Sequence, residues 1–144
     1  MALITDIADA VVDALNGAPE GTFGQEFQAI RRNEPTFDLE KLADLVVCVA
    51  PKSISETPAS RSSFQTDYGI DVGVLKRVAD QDEQDGLLTF MDELRRFFRA
   101  FRPSPEGLMA VCVKTDNEPP YWPQHLRELR QFTSVLTLTI RVIE

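Results

Sequence analysis

The chain has 144 residues and a formal charge of −8, the size of one ordinary domain, and that acidity argues against wrapping nucleic acid, which needs clustered Lys and Arg. Its hydrophobic content excludes wholesale disorder, and no apolar run approaches the roughly 20 residues of a membrane helix. One histidine, His125, cannot build a metal site or a catalytic triad alone.

The opening Met1-Ala2-Leu3-Ile4-Thr5-Asp6 lacks the basic start and long apolar centre of a signal peptide. The expectation is a single soluble, intracellular domain over residues 1–144. Residues 3–16 read as the first helix, because Ile4, Ile7, Ala8, Val11, Ala14 and Leu15 recur on one face. Asp6, Asp9, Asp13 and Asn16 fall opposite, as a solvated face. Thr5 or a neighbour is the expected cap, and Gly17 with Pro19 stops the helix.

A short strand is expected around residues 26–32, and a turn or single helical turn at 38–44. Residues 45–50 read as a covered central strand that Pro51 ends. Residues 52–63, rich in Ser, read as a long flexible loop. From Phe64 to Val78 the pattern has period two: Phe64, Thr66, Tyr68, Ile70, Val72 and Val74 share one face, and Gln65, Asp67, Gly69, Asp71 and Gly73 the other. These two strands predict a long antiparallel hairpin with a mobile tip.

The acidic stretch 80–86 leads into a second helix striped by Leu87, Phe90, Met91, Leu94, Phe97, Phe98 and Phe101, with Arg95, Arg96, Arg99 and Arg102 on its other side. Asp92 and Glu93 are each placed to pair with Arg96. Pro103 and Pro105 break this helix. A strand is expected at 108–114, a Pro-rich loop at 115–124, one helical turn or more at 125–131, and a closing strand at 133–143, apolar on one face and Thr-rich on the other. The order α-β-β-β-α-β-β predicts an α+β fold: a mostly antiparallel sheet with two amphipathic helices packed on one face.

No phosphate loop, dinucleotide fingerprint, nucleophile elbow or zinc-ligand spacing is present, so no catalytic, metal or cofactor residue is expected. Cys48 and Cys112 each lie in an apolar β-type run and read as buried thiols in a reducing compartment. Asp67 and Asp71 are too far apart along one strand for a tight acid/base dyad and read as surface charges. What chemistry leaves over lies at the surface. The Ser-rich stretch is long for a loop, and Tyr121 and Trp122 are aromatics of the kind that anchor interfaces. The candidate protein-interface residues are Ser53, Ser55, Arg61, Ser62, Asp67, Asp71, Tyr121 and Trp122.

The opening helix, the run Val46-Val47-Cys48-Val49-Ala50-Pro51, the strand Tyr68-Gly69-Ile70-Asp71-Val72-Gly73-Val74, the Phe/Arg helix, Asn117-Glu118-Pro119 to His125-Leu126, and the ending Gln131-Phe132-Thr133-Ser134-Val135-Leu136-Thr137-Leu138-Thr139 follow one another in order. In that order and in its closing strand the chain resembles the tail-terminator, or tail-completion, proteins of long-tailed phages and prophages, over nearly its whole length. The resemblance implies a structural subunit of the virion tail, assembled in the bacterial host cytoplasm, with no enzymatic activity, no cofactor and no membrane. It implies a homo-oligomeric ring, typically a hexamer, that caps the tail tube, stops its polymerisation and joins it to the head connector. The implied partners are further copies of the chain, the tail tube protein and the head–tail connector protein, with DNA passing through unbound. Another neck protein, such as a head-closure subunit, is the nearest alternative. A small cytosolic ligand-binding domain is a more distant one, and an acidic DNA mimic is disfavoured because the carboxylates are interspersed with arginines.

Overall fold

Three long strands, laid side by side, set the dimensions of the molecule. The computed structural model describes residues 2–33, 44–99 and 101–144, so the turn expected at 38–44 falls, apart from Asp44, outside the described residues. The strands are β1 (Ala29–Arg31), β2 (Val46–Pro58), β3 (Phe64–Arg77), β4 (Ala110–Asp116) and β5 (Gln131–Ile143). The helices are α1 (Leu3–Asn16), α2 (Gln81–Phe97) and the short α3 (Pro123–Leu129). The sheet runs β1-β2-β3-β5-β4. All neighbours are antiparallel except β1, which pairs parallel with β2 through Ala29↔Val47, Ile30↔Cys48 and Arg31↔Val49. The fold is α+β with a mixed sheet, in the order α-β-β-β-α-β-α-β; α3 is the addition to the expected order.

The register explains the core. Val49, Val72 and Leu136 stand in one row across the sheet, and Ile70 with Leu138 and Tyr68 with Ile140 in the next rows. Because side chains alternate along a strand, these residues share a face. Against that face α1 buries Ile7, Ala8, Val11 and Leu15, and α2 buries Leu87, Phe90, Met91 and Leu94, all within one apolar cluster. Phe23 and Phe27 join it edge-to-face with Phe90, at ring-centroid distances of 5.7 and 5.1 Å.

Local chemistry fixes the ends of the elements. Asp80 accepts a hydrogen bond from the Glu83 N–H at 2.9 Å, and Glu83 accepts one from the Ala79 N–H at 3.3 Å. This reciprocal cap starts α2 at Gln81, ahead of its apolar stripe. At α1 the expected cap does not form; the Thr5 hydroxyl donates back to the Ala2 carbonyl. Asn16, expected to be solvated, instead brackets Ala29, accepting from its N–H at 2.8 Å and donating to its carbonyl at 3.0 Å. Asp9 reaches Arg31 at 2.7 Å, so the helix is tied to β1 by both residues. Glu93 does not pair with Arg96. It accepts from the Gly24 N–H at 3.1 Å, while Asp92 takes both Arg95 and Arg96.

The largest departure from expectation is at Pro51. The strand does not end there; it runs to Pro58, so residues 52–58 are strand rather than loop. Phe64 exchanges both main-chain hydrogen bonds with Glu144, at 2.8 and 2.9 Å, which fixes the even-numbered residues of β3 as facing β5. Pro51 stands opposite Ile70, one of these, so its missing N–H removes no bond from the β2–β3 ladder. A bulge between Pro51 and Ser53 follows, seating Ser53 over Gly69, where a Cβ would collide with the serine hydroxyl.

Each helix is shorter than the strands it packs on. At about 1.5 Å per residue the 17 residues of α2 span about 25 Å, whereas at about 3.3 Å per residue the 14 of β3 span about 46 Å. The core nevertheless continues along β3 and β5 to Tyr68, Ile140 and Val142, so the exposed part of the hairpin is β2 from Lys52 to Pro58 and the turn after it. Phe90→Ala, which empties a fully buried site under α2, is expected to lower unfolding free energy by about 3–5 kcal/mol in urea denaturation followed by circular dichroism. Ile54→Ala, on the exposed half of β2 where Ile54 is 60% exposed, should change it by less than about 0.5 kcal/mol.

Candidate functional site

The exposed half of β2 and the turn after it form an arm along the sheet's edge, paired with β3, which β5 backs as far as Phe64 and Glu144. Ser53, Ser55 and Thr57 pair with Gly69, Asp67 and Gln65 on the side away from α1 and α2, while Ile54, Glu56 and Pro58 share the helix side with Tyr68, Thr66 and Phe64. Residues 52–58 are all exposed. On the outer side of β2, among the described residues, β1 reaches only as far as Val49, with Arg32 adding one bond to the Val49 carbonyl. Beyond it the main-chain groups of Ile54 and Glu56 face away from β3, by the alternation of an antiparallel ladder. Apolar side chains crowd this end: Ile54 is 60% exposed, Phe64 49% and Ile143 59%.

The tip is closed by its own hydrogen bonds. The N–H groups of Ala59 and Ser60 donate to the Ser63 carbonyl at 3.0 and 3.2 Å, and the Ser60 and Ser63 hydroxyls lie 2.6 Å apart. Arg61 and Ser62 sit at the apex, exposed. The structure thus divides the Ser-rich candidates between strand (Ser53, Ser55) and turn (Arg61, Ser62).

Asp67 and Asp71 are not free surface charges. Asp67 accepts from the Arg141 Nε and Nη2 at 2.9 and 3.2 Å, and this hydrogen bonding holds the Arg141 guanidinium pKa above its ordinary value. Asp71 accepts from the Thr137 hydroxyl at 2.6 Å, and Lys52 Nζ approaches both, 3.9 Å from Asp71 and 3.5 Å from Thr137. These are cross-strand pairs between β3 and β5. Arg141 interrupting a Thr-rich strand face was the available signal in the sequence; the register that sets it opposite Asp67 was not.

Tyr121 and Trp122 part company for a simple reason. After β4 the chain runs on beside the start of β5: the Asn117 carboxamide donates to the Ser134 hydroxyl at 2.9 Å and the Val135 carbonyl at 2.8 Å, and the Trp122 N–H donates to the Thr133 carbonyl at 2.9 Å. Residues 118–121 form a bend, and the two aromatics leave it on opposite sides of the sheet. Tyr121 turns to the helix side and stacks on Phe132 at 6.2 Å, against the core. Trp122 turns to the other side, 45% exposed, and stacks on His125 at 5.8 Å. There it borders an open groove lined by Lys52, Asp71, Asp116, Glu118, Val135 and Thr137. Ser134, whose fastening role the sequence does not signal, is fully buried, and its hydroxyl donates to the Pro120 carbonyl and so fastens the loop that carries Trp122.

Among the described residues no group of three or more His, Cys, Asp or Glu could hold a metal ion. Likewise, no helix is long and apolar enough to cross a membrane. Cys48 and Cys112 are buried and unpaired, and burial raises the pKa of both thiols.

No family model matches the sequence, and no curated protein matches it. Among solved structures, a protein described only by a sequence identifier superposes with a TM-score of 0.53 at 16% identity, over 96% of this chain and 93% of its own. It shares the fold. A chain from the virion of a native gene transfer agent particle superposes with a TM-score of 0.45 at 12% identity, over 99% of this chain and 92% of its own.

Two outcomes are expected of these arrangements. Ser134→Ala leaves the Asn117 and Pro120 groups short of a partner and should cost about 1–3 kcal/mol of stability. It should also lower the fluorescence anisotropy of the Trp122 loop relative to wild type; an unchanged anisotropy would show that the loop is held elsewhere. For the thiols, a raised pKa leaves them protonated at neutral pH, so an aromatic disulfide reagent should label neither cysteine in the native protein and both in denaturant.

Proposed function

We propose that the chain is a structural subunit of a phage-type tail, of the tail-terminator kind, that acts by assembling with copies of itself and not by catalysis. The observation that carries this reading is the arm. The edge strand is exposed from Lys52 to Pro58, with unpartnered main chain on its outer side among the described residues and exposed Ile54 and Phe64 at its end. A solitary protein has reason to blunt such an edge, since it invites pairing with another chain. An assembly subunit keeps it because a neighbour covers it.

The sequence resemblance to tail-completion proteins supplies the finer terms. Six copies would close a ring through head-to-tail contacts, in which one surface of each subunit meets a different surface of the next. One rim of the ring would meet the last turn of tail tube protein and the other the head–tail connector. The formal charge of −8 suits a channel through which DNA slides, since a negative wall repels phosphates.

Size-exclusion chromatography with light scattering, followed by negative-stain electron microscopy, tests the proposal. Wild-type protein should give a ring of about six copies and should arrest polymerisation of purified tail tube protein. Replacing residues 55–62 by a two-residue turn should leave a folded monomer, judged by circular dichroism, that arrests nothing. A wild-type protein that stays monomeric at millimolar concentration and leaves tube growth untouched would sink the assembly reading.

A further inference from the structure

The arm's tip and the Trp122 groove have complementary chemistry and cannot meet within one molecule. In Ala59-Ser60-Arg61-Ser62-Ser63 the only charge is Arg61, exposed at the apex and, among the described residues, without an ion pair. The groove sets three carboxylates, Asp71, Asp116 and Glu118, against one ammonium, Lys52, beside the exposed face of an indole. Lys52 is drawn to the Asp71–Thr137 side, and Asp116 is shared with Lys114 at 3.3 Å. Glu118, next to Trp122 in the lining, has no such partner among the described residues. Arg61 lies ten residues before Asp71 along a paired strand and its turn, which at about 3.3 Å per residue places them roughly 30 Å apart. A rigid ladder of that length does not fold back on itself.

We propose that Arg61 of one copy docks in the Trp122 groove of the next, its guanidinium stacked on the indole and paired with Glu118. This deepens the assembly reading and rests on it. Arginine over tryptophan is a favoured cation–π pair, and a guanidinium fork can donate to a carboxylate at the same time, which an ammonium cannot do with equal geometry. The indole is already held as a platform, stacked on His125 and with its main chain bonded to Thr133. Because tip and groove are different surfaces, the contact is head-to-tail, as a ring demands.

Trp122 is the only tryptophan in the chain, so its emission reports the contact directly. As concentration rises, the full-length wild type should gain mass by light scattering while its tryptophan emission moves to shorter wavelength. Arg61→Glu, an exposed turn substitution, should weaken association at least tenfold and abolish the emission shift. Glu118→Arg should do the same, and the double variant R61E/E118R, with the charges exchanged, should regain most of the association of wild type. If Glu118→Arg misfolds by circular dichroism, Trp122→Ala read by mass alone takes its place, with the same loss expected. Association of Arg61→Glu at wild-type strength would overturn the docking while leaving the assembly reading intact. A wild type that stays monomeric throughout would overturn both.

Discussion

The structure depends on how far cover extends along each strand. A helical residue advances about 1.5 Å and an extended one about 3.3 Å, so helices of 14 and 17 residues are shorter than strands of 13 and 14. Along β3 and β5 the core still reaches Tyr68, Ile140 and Val142, whereas β2, at the sheet's edge, is exposed from Lys52 onward. Ile54 is exposed and apolar because it stands on that uncovered edge. The bulge at Pro51–Ser53 lies at the changeover, where the burial of β2 gives way to exposure along the rest of the strand.

Much of the core half was legible in the sequence. The bounds of α1, its buried face, and the period-two reading of β3 depend on residues whose burial repeats within one element, and periodicity reports that directly. The arm was hidden for two reasons. Pro51 reads as a strand stop, yet its stopping power depends on which neighbour the missing N–H would have faced. Ser53, Ser55 and Thr57 are small and polar because neither side of the strand is covered, and a strand with no buried face leaves no apolar alternation to read. The parallel pairing of β1 was equally invisible, since three residues carry no periodic signal. Asn16 clamping Ala29 is what places them.

The face away from the helices shows the same limit at the level of single residues. Asp67, Asp71, Thr137 and Arg141 could each be assigned to an exposed strand face from alternation alone. What each does depends on register: one step of slip between β3 and β5 would separate Asp67 from Arg141 and send every core side chain outward. The buried rows Val72–Leu136 and Ile70–Leu138 therefore fix the register, and the polar pairs inherit their geometry from the core rather than determine it. Tyr121 and Trp122 are a smaller instance, adjacent in sequence and assigned to opposite surfaces by a bend that Asn117, Ser134 and the Trp122 N–H fasten to β5.

Under the proposed docking, a stiff arm and a distant receiving groove would hold the assembly instructions in two places. The angle between arm and groove is set by the sheet, so a chain of such contacts either closes after a fixed number of copies or grows as a filament. Closure requires the arm to be rigid, and rigidity here comes from pairing along three strands, with β5 backing β3 as far as Phe64 and Glu144. A flexible loop in the place of residues 52–58 would bind a neighbour with the same side chains but would not define that angle. The strand that the sequence disguises as a loop is thus the element on which closure of the proposed ring, as opposed to loose association, would physically depend.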